Sequence, residues 1–184
     1  MSTTSASHAS ETGQQVIIVM GVTGCGKSSL GREIARCLNA PFLEGDEFHP
    51  EANIAKMSAG IPLTDDDRIG WLDTLAGEIG QKSQEGASVV TSCSALKKKY
   101  RTQLNDVSGH NILYVFMDGP KEVIASRLGQ RKGHYMPPSL LDSQLEALEP
   151  PGGDERVIRV DLRKTIAEML AEVMDRLQLS VQTG

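Results

Sequence analysis

The sequence predicts an α/β fold, a three-layer sandwich in which helices cover both faces of a mostly parallel β-sheet. From residue 16 onward, short apolar segments rich in β-branched residues alternate with amphipathic segments of helical period, which is typical of this class. The first apolar segment, Val16 to Met20, has no polar position, as expected of a strand buried on both faces. Ligands of such folds bind at the carboxyl ends of the strands.

The predicted elements follow one another in a regular order. After the first strand, Leu30, Ile34 and Leu38 recur at four-residue spacing and predict the apolar face of a helix. Thr64 precedes three aspartates, so we expect a capping box and carboxylates at a helix N-terminus there. The predicted strands are 16–20, 42–43, 88–92, 112–117 and 157–160. The first predicted helix ends at about residue 38, another is opened by 118–120, and the others are 50–59, 64–79, 97–104, 140–148 and 166–177.

Composition and charge restrict the class of protein. With 184 residues and 39% hydrophobic content, the chain suits one domain, predicted at 16–184 after a disordered Ser/Thr-rich tail at 1–15. A net charge of -5 argues against nucleic-acid binding, and no apolar run approaches the ~20 residues of a membrane span. The three cysteines form neither a disulfide nor a zinc-binding pattern, which favours a reducing cytoplasm.

A phosphate-binding loop follows the first strand directly. The segment GVTGCGKS matches G-x-x-x-x-G-K-[ST] in full and opens a helix, which is the context that this pattern needs. Its glycines let backbone N–H groups surround phosphate oxygens, Lys27 reaches the β- and γ-phosphates, and Ser28 offers its hydroxyl to Mg²⁺. At Cys25 a small residue tolerated at a variable loop position is favoured over a reactive thiol. The predicted ATP-binding residues here are Gly21, Val22, Thr23, Gly24, Cys25, Gly26, Lys27, Ser28 and Ser29.

Other nucleotide-binding patterns are weaker. The sequence has no guanine-reading N-K-x-D, which argues against a GTPase. The segment DRIG matches D-x-x-G, but it opens a helix instead of ending a buried strand, so we take the match as chance. Asp118 follows the apolar run ILYVFM and could be a Walker-B carboxylate, but a cap for the helix begun by Pro120 is favoured.

Together with the phosphate loop, four segments of this sequence resemble the gluconate kinases (gluconokinases). These segments are EGDEFHPEANIAKMSAGIPLTDDDRIGWL, SCSALKKKYR, RKGHYMPPSLLDSQLEALE and PPGGDE. The resemblance implies transfer of the ATP γ-phosphate to the 6-hydroxyl of D-gluconate, with Mg²⁺, by a homodimer. It also implies a five-stranded parallel sheet of order 2-3-1-4-5, as in nucleoside monophosphate and shikimate kinases, and a lid at about 127–140. The family usually has Pro where Gly70 stands and often Phe at Leu145.

The segment at about 45–71 is expected to form the substrate side of the site. Asp46 follows the second strand and is our candidate for the catalytic base, with a possible contact to Mg²⁺ through water. A carboxylate substrate needs a planar cation, for which Arg68 is the candidate. The other substrate candidates are His49, Asn53 and Lys56, of which the last two lie three residues apart on one helix face. A structural role stays open for His49. For the three aspartates, capping and pairing with Arg68 are favoured over metal binding.

The lid contributes the third set of candidates. Arg127 and Arg131 are four residues apart, so one could stack on adenine while the other meets phosphate charge, although two exposed helix arginines remain the alternative. The predicted catalytic residues are Asp46, Lys27 and Arg131. His134 and Gln144, in or after the lid, are further substrate candidates. Lys97 and Arg101 follow the third strand and are substrate-side candidates that could face the reacting phosphates.

Two competing hypotheses remain. One is a phosphate-loop kinase for another small acceptor, such as shikimate, against which the gluconate-like segments count. The other is a nucleotide-binding regulator without catalysis, which predicts the loss of the acceptor carboxylate or of the lid arginines. Asp46, Arg127 and Arg131 are all present in the sequence.

Overall fold

The computed structural model describes residues 13–129 and 138–182. The first twelve residues and much of the predicted lid therefore lie outside the described residues. The strands are β1 (Val16–Met20), β2 (Phe42–Glu44), β3 (Val89–Ser92), β4 (Leu113–Asp118) and β5 (Val157–Asp161). The helices are α1 (Lys27–Leu38), α2 (Glu51–Ser58), α3 (Asp65–Lys82), α4 (Lys98–Ser108), α5 (Lys121–Gly129), α6 (Pro138–Ala147) and α7 (Ile166–Gln182).

The five strands form one parallel sheet in the order β2-β3-β1-β4-β5, which confirms the predicted order. In the register of the central strand β1, Val19 lies beside Ser92 of β3 and Val115 of β4. Because all strands run in the same direction, their carboxyl ends meet at one edge. The loops after β1, β2 and β3 are thereby brought together at that edge.

Apolar side chains of β1 alternate between two cores, one on each face of the sheet. Ile17 and Val19 pack with buried residues of α1, α5, α6 and α7. Ile18 and Met20 pack with buried residues of α3 and α4, among them Trp71. The structure therefore has the three layers that the sequence predicts.

Local contacts explain where the helices begin and end. Thr64 accepts from the Asp67 N–H at 3.2 Å, and the Asp67 carboxylate accepts from the Thr64 N–H at 2.9 Å, which is the predicted capping box. The helix α4 runs four residues beyond the predicted end and stops at Ser108, where Gly109 adopts a left-handed conformation with φ 74°.

The cysteines and the helices bear on the environment of the protein. Cys25, Cys37 and Cys93 all have free thiols, and only Cys37 is exposed. Among the helices of residues 13–129 and 138–182, none is long and apolar enough to cross a membrane.

Candidate active site

The phosphate loop connects β1 to α1 in a conformation that depends on glycine. Gly24 and Gly26 have φ angles of 82° and 100°, in the left-handed region that other residues rarely adopt. The carbonyl of Gly26 accepts from the Leu30 N–H at 3.1 Å, so α1 starts immediately after the loop. The first N–H groups of α1 have no acceptor within the helix, and its dipole places positive charge there. The loop is therefore suited to an anion such as a phosphate.

The carboxyl ends of β1, β2 and β3 form one cleft at this loop, with a volume of about 80 Å³. Lys27 lies in the cleft, where its Nζ donates to the Val22 carbonyl at 3.0 Å. The lining residues are Thr23, Gly24, Gly26, Lys27, Ser28, Glu44, Asp46, Ser92 and Cys93. The structure thus brings Asp46 and most of the predicted phosphate-binding residues to one cavity.

Two carboxylates face this cleft, and only one of them was predicted. Asp46 lies in a short 3-10 turn after β2, and its side chain is 83% exposed. Glu44, the last residue of β2, accepts a hydrogen bond from the Ser92 hydroxyl and lies 3.6 Å from Arg32. The sequence signal for Glu44 was available, because it is a carboxylate at the carboxyl end of a predicted strand.

The turn that carries Asp46 is held closely against β3. A Cβ atom on Gly45 would lie 2.1 Å from the Ser92 carbonyl oxygen, so only glycine fits there. The Gly45 carbonyl accepts from Trp71 Nε1 at 2.8 Å. Because Trp71 is buried in α3, this bond fixes the position of the turn relative to that helix.

His49 is a buried member of the same segment. It is 8% exposed, and its ring stacks on Trp71 with 4.0 Å between ring centroids. Asn53 Nδ2 lies 3.3 Å from His49 Nδ1, and His49 Nε2 lies 4.0 Å from the Asp46 carboxylate. Burial lowers the pKa of His49, against the effect of Asp46. The ring is therefore neutral at pH 7, and donation by Asn53 to Nδ1 places the ring proton on Nε2, towards Asp46.

We expect His49 to make folding sensitive to mild acid. Because the folded-state pKa lies below the usual 6.5, the unfolded chain binds more protons as the pH falls through that value. The contribution of His49 to the free energy of unfolding is therefore fully present above about pH 6.5, and it is lost as the pH falls through the folded-state pKa. In His49→Phe the ring can still stack on Trp71 but cannot titrate. Urea unfolding at a series of pH values should show a smaller loss of stability in the variant, and parallel curves would contradict this assignment.

Asn53 and Lys56 converge on Asp67, as their positions on one helix face allow. Asn53 Nδ2 donates to the Asp67 carbonyl at 2.8 Å, and Lys56 Nζ contacts the two carboxylate oxygens at 2.7 and 2.9 Å. Lys56, followed by Thr64, lowers the pKa of Asp67 to about 2. These contacts fasten α2 to the start of α3. The expected pairing of Asp67 with Arg68 is replaced by pairing with Lys56.

Asp65 gathers three donors at the start of α3. Its carboxylate accepts from Lys97 at 2.9 Å, from Lys99 at 2.5 Å and from the Tyr100 hydroxyl. Lys99 and then Tyr100 hold the pKa of Asp65 well below its usual value. Arg68 lies over the Tyr100 ring, 5.8 Å from its centroid. Lys97, predicted to face the reacting phosphates, therefore pairs with a carboxylate in this structure.

Three charged side chains act on one buried thiol beside the cleft. Cys93 is 1% exposed, and burial raises its pKa to about 12. Asp46 raises that pKa further, whereas Lys27 and Arg68 lower it. The thiol therefore stays protonated, which fits a packing role. Since the charges of Asp46, Lys27 and Arg68 all affect the pKa of this thiol, the three predicted site residues lie near Cys93.

Arg101 has a structural role, contrary to the prediction that it contacts substrate. Its guanidinium is 1% exposed and donates to both carboxylate oxygens of Glu155 at 2.6 and 3.2 Å. The remaining nitrogen donates to the carbonyls of Ala95 and Leu96 at 2.8 and 3.2 Å. Because the Arg101 guanidinium is buried and each of its three nitrogens has an acceptor in the protein, it cannot contact a substrate. Arg101 instead fastens the loop after β3, in which Ala95 has a left-handed φ of 45°.

The lid candidates fall into two groups. Arg131 and His134 lie outside the described residues, so their roles stay predictions. Arg127 donates to the Cys25 carbonyl at 2.9 Å and to the Leu162 carbonyl at 2.5 Å, which joins the phosphate loop to the loop after β5. Gln144 was predicted on the substrate side, but its amide contacts Thr23 of the phosphate loop.

Asp118 is the last residue of β4 and lies 3.4 Å from Arg159 of β5. Its carboxylate thus pairs across two neighbouring strands, whereas the sequence favoured a helix cap. It is absent from the residues that line the cleft at the phosphate loop, so the Walker-B alternative gains no support within the described residues.

Comparisons with known proteins agree with this architecture. A family model described as an AAA domain matches residues 16–151. The thermosensitive gluconokinase of Escherichia coli strain K12 is 44% identical over 156 residues, which make up 83% of this chain and 81% of that protein. A crystal structure of a gluconokinase from Sinorhizobium meliloti 1021 is 44% identical, has a TM-score of 0.83, and covers 92% of this chain and 94% of its own.

A more distant structure shows how widely the fold is shared. A shikimate kinase from Aquifex aeolicus has a TM-score of 0.58 at 18% identity, and the match covers 92% of this chain and 100% of that chain. At this identity the similarity shows the fold alone. Fold similarity by itself therefore does not choose between acceptors.

Proposed function

We propose that this chain, which belongs to the gluconokinase family, transfers the γ-phosphate of ATP to the 6-hydroxyl of D-gluconate and releases 6-phosphogluconate and ADP. The observation that carries the proposal is the cleft in which the phosphate loop and Asp46 line one cavity. The identity of the acceptor is inferred from the names of the relatives, because the geometry of the cleft would suit several small molecules with a hydroxyl group.

The chemistry that we propose depends on position and charge. Phosphoryl transfer needs the acceptor hydroxyl in line with the γ-phosphate and a group that orients that hydroxyl and accepts its proton. Asp46 is suited to this role, because its exposed carboxylate faces the phosphate loop across the cleft. His49 Nε2 lies 4.0 Å from the same carboxylate, which is beyond direct hydrogen-bond distance. Lys27 is placed to neutralise charge on the transferred phosphate.

The donor set of the cleft fits Mg²⁺. Ser28, Glu44, Asp46 and Ser92 supply hydroxyl and carboxylate oxygens, which are the ligands that this ion prefers, and it usually keeps several waters and contacts the nucleotide phosphates. Among residues 13–129 and 138–182, no group of three or more His, Cys, Asp or Glu side chains is arranged to hold a metal ion. We propose Ser28 as a direct ligand and Asp46 and Glu44 as partners of its water shell. When bound, the ion neutralises charge on the phosphates.

Arg68 is the residue that we assign to the gluconate carboxylate. Lys56 and Lys97 are paired with aspartates. Within the described residues, Arg68 has an aromatic contact and no carboxylate within 4 Å. A planar guanidinium can form two parallel hydrogen bonds to a carboxylate. Its charge contributes to lowering the pKa of His49, which supports a position on the acceptor side of the cleft.

We place adenine beside Arg127. Next to the phosphate loop, an open hollow of about 530 Å³ is lined by Glu122, Val123, Ser126, Arg127, Leu162 and Arg163. Apolar and guanidinium surfaces of this kind suit a flat aromatic base. Leu162 and Arg163 carry no sequence pattern that singles them out, which is why the sequence did not identify this hollow.

Three further properties complete the proposal. The single five-stranded sheet supports a single domain, and the lid at about 127–140 stays a prediction from the family resemblance. A cytoplasmic location fits the free thiols of the three cysteines. A homodimer remains a prediction from the family resemblance.

The test of function is ADP release with ATP and Mg²⁺ and a panel of acceptors: gluconate, shikimate, AMP and related sugar acids. We expect turnover with gluconate and little with the others. Turnover with another acceptor and none with gluconate would refute the assigned substrate. Nucleotide binding without turnover on any acceptor would favour the regulatory alternative.

A further inference from the structure

The side-chain amide of Gln144, on α6, makes a two-point contact with the phosphate loop. Its Oε1 accepts from the Thr23 N–H at 2.7 Å, and its Nε2 donates to the Thr23 hydroxyl at 2.9 Å. The two residues are 121 positions apart in the chain. The contact therefore joins two elements that the sequence places far from each other.

We propose that Gln144 is a positioning residue of the ATP site, which fixes the phosphate loop through Thr23 in the orientation that receives the nucleotide. This inference depends on the proposed function only in that the loop must bind ATP. It differs from the substrate-side role expected from the sequence, because Gln144 acts on the loop and not on the acceptor.

The chemistry of the contact is specific for an amide. The Thr23 N–H needs an acceptor, and its hydroxyl oxygen can receive a donor. A glutamine side chain presents one acceptor and one donor on the same planar group, so it satisfies both atoms of Thr23 at once. A carboxylate could accept from both groups but would add negative charge beside a polyphosphate. An apolar side chain of similar length would make neither bond.

Neighbouring contacts show why Thr23 needs this support. Arg127 donates to the Cys25 carbonyl at 2.9 Å, and Leu128 packs so closely on Gly24 that a Cβ there would lie 2.3 Å from its Cδ2. Both residues belong to α5, so the middle of the loop is held from that side. Thr23 is instead held from α6. Gly21 and Gly24 flank the Val22–Thr23 pair and give the backbone conformational freedom there. Ordering this segment before the nucleotide arrives reduces the entropic cost of binding.

The experiment measures ATP binding and steady-state kinetics for Gln144→Met and Thr23→Val, alone and together. Loss of the two hydrogen bonds in Gln144→Met should raise the Kd and KM for ATP about tenfold. At saturating ATP, kcat and the KM for gluconate should stay close to wild-type values. Since both residues act through one contact, the double variant should bind ATP no more weakly than Gln144→Met.

Several outcomes would overturn the inference. An unchanged Kd for ATP in Gln144→Met would do so, and so would a raised KM for gluconate alone, which would return Gln144 to the acceptor pocket. Additive effects of the two substitutions would show that they act independently. Ser143→Ala, at an exposed position one residue away on α6, is the control for changes in the helix and should bind ATP normally. Thr23→Val tests the same contact from the other side if Gln144→Met does not fold.

Calorimetric titration with ATP alone separates this inference from the proposed function. Wild-type protein that binds ATP but does not phosphorylate gluconate would refute the function and still allow Gln144 to be tested. Wild-type protein that phosphorylates gluconate while Gln144→Met binds ATP normally would refute the inference and leave the function in place.

Discussion

Asp46→Asn is expected to lower kcat by about 10²-fold or more, which is within the range for loss of a positioned acid or base. Asparagine keeps the shape of the side chain and removes its ability to accept the proton of the acceptor hydroxyl. The substitution should not disturb the fold, because the Asp46 side chain is 83% exposed. The measurement is ADP release at saturating ATP and gluconate, together with the melting temperature as a check on folding.

Glu47→Gln is the matched control for this substitution. Glu47 lies next to Asp46 in the same 3-10 turn and is exposed, but it does not line the cleft. Removal of its charge should leave kcat nearly unchanged. Equal losses in both variants would mean that the net charge of the turn matters, and a normal kcat in Asp46→Asn would reduce Asp46 to a bystander.

The Mg²⁺ dependence separates the two roles proposed for Asp46. If the carboxylate only orders the water shell of the ion, a higher Mg²⁺ concentration should restore much of the lost rate by mass action. If Asp46 accepts the proton, saturating Mg²⁺ should leave kcat low. We expect the second result.

The sequence predicts the fold and the phosphate loop because both depend on local patterns. Strand and helix periods are visible within ten to twenty residues, and the loop pattern is contiguous from Gly21 to Ser28. The acceptor segment is also contiguous, so Asp46 and His49 could be chosen from the sequence together with the family resemblance.

What the sequence could not supply is the partner of each charged side chain. Arg101 was a reasonable phosphate contact by position, yet its ion pair with Glu155 spans 54 residues. Gln144 likewise finds Thr23 only after the chain has folded. Such pairings depend on how helices pack on the sheet, and no local pattern encodes them. Glu44 is different, since its place at the end of β2 was predictable and was overlooked.

Glu155→Ala is expected to destabilise the protein by about 3–5 kcal/mol, because it leaves a buried guanidinium without its counter-charge. Arg101 is 1% exposed and Glu155 is 10% exposed. Burial disfavours the charge on Glu155, but Arg101 outweighs that effect and lowers the pKa of the carboxyl. For a chain of this size, the loss corresponds to a fall of roughly 6–20 °C in Tm. Urea unfolding and calorimetry measure both quantities.

The adjacent pair Lys98–Asp154 supplies the control, because it has a similar distance of 2.9 Å but side chains that are 55% and 76% exposed. Asp154→Ala should change the stability little, because solvent screens an exposed ion pair. Equal losses in the two variants would contradict the structural role of Arg101. At a temperature where Glu155→Ala remains folded, its KM for gluconate should stay near the wild-type value. A large rise in that KM would instead support the substrate contact expected for Arg101 from the sequence. In that case Glu155 would orient the Arg101 guanidinium towards the substrate, and its removal would weaken substrate binding.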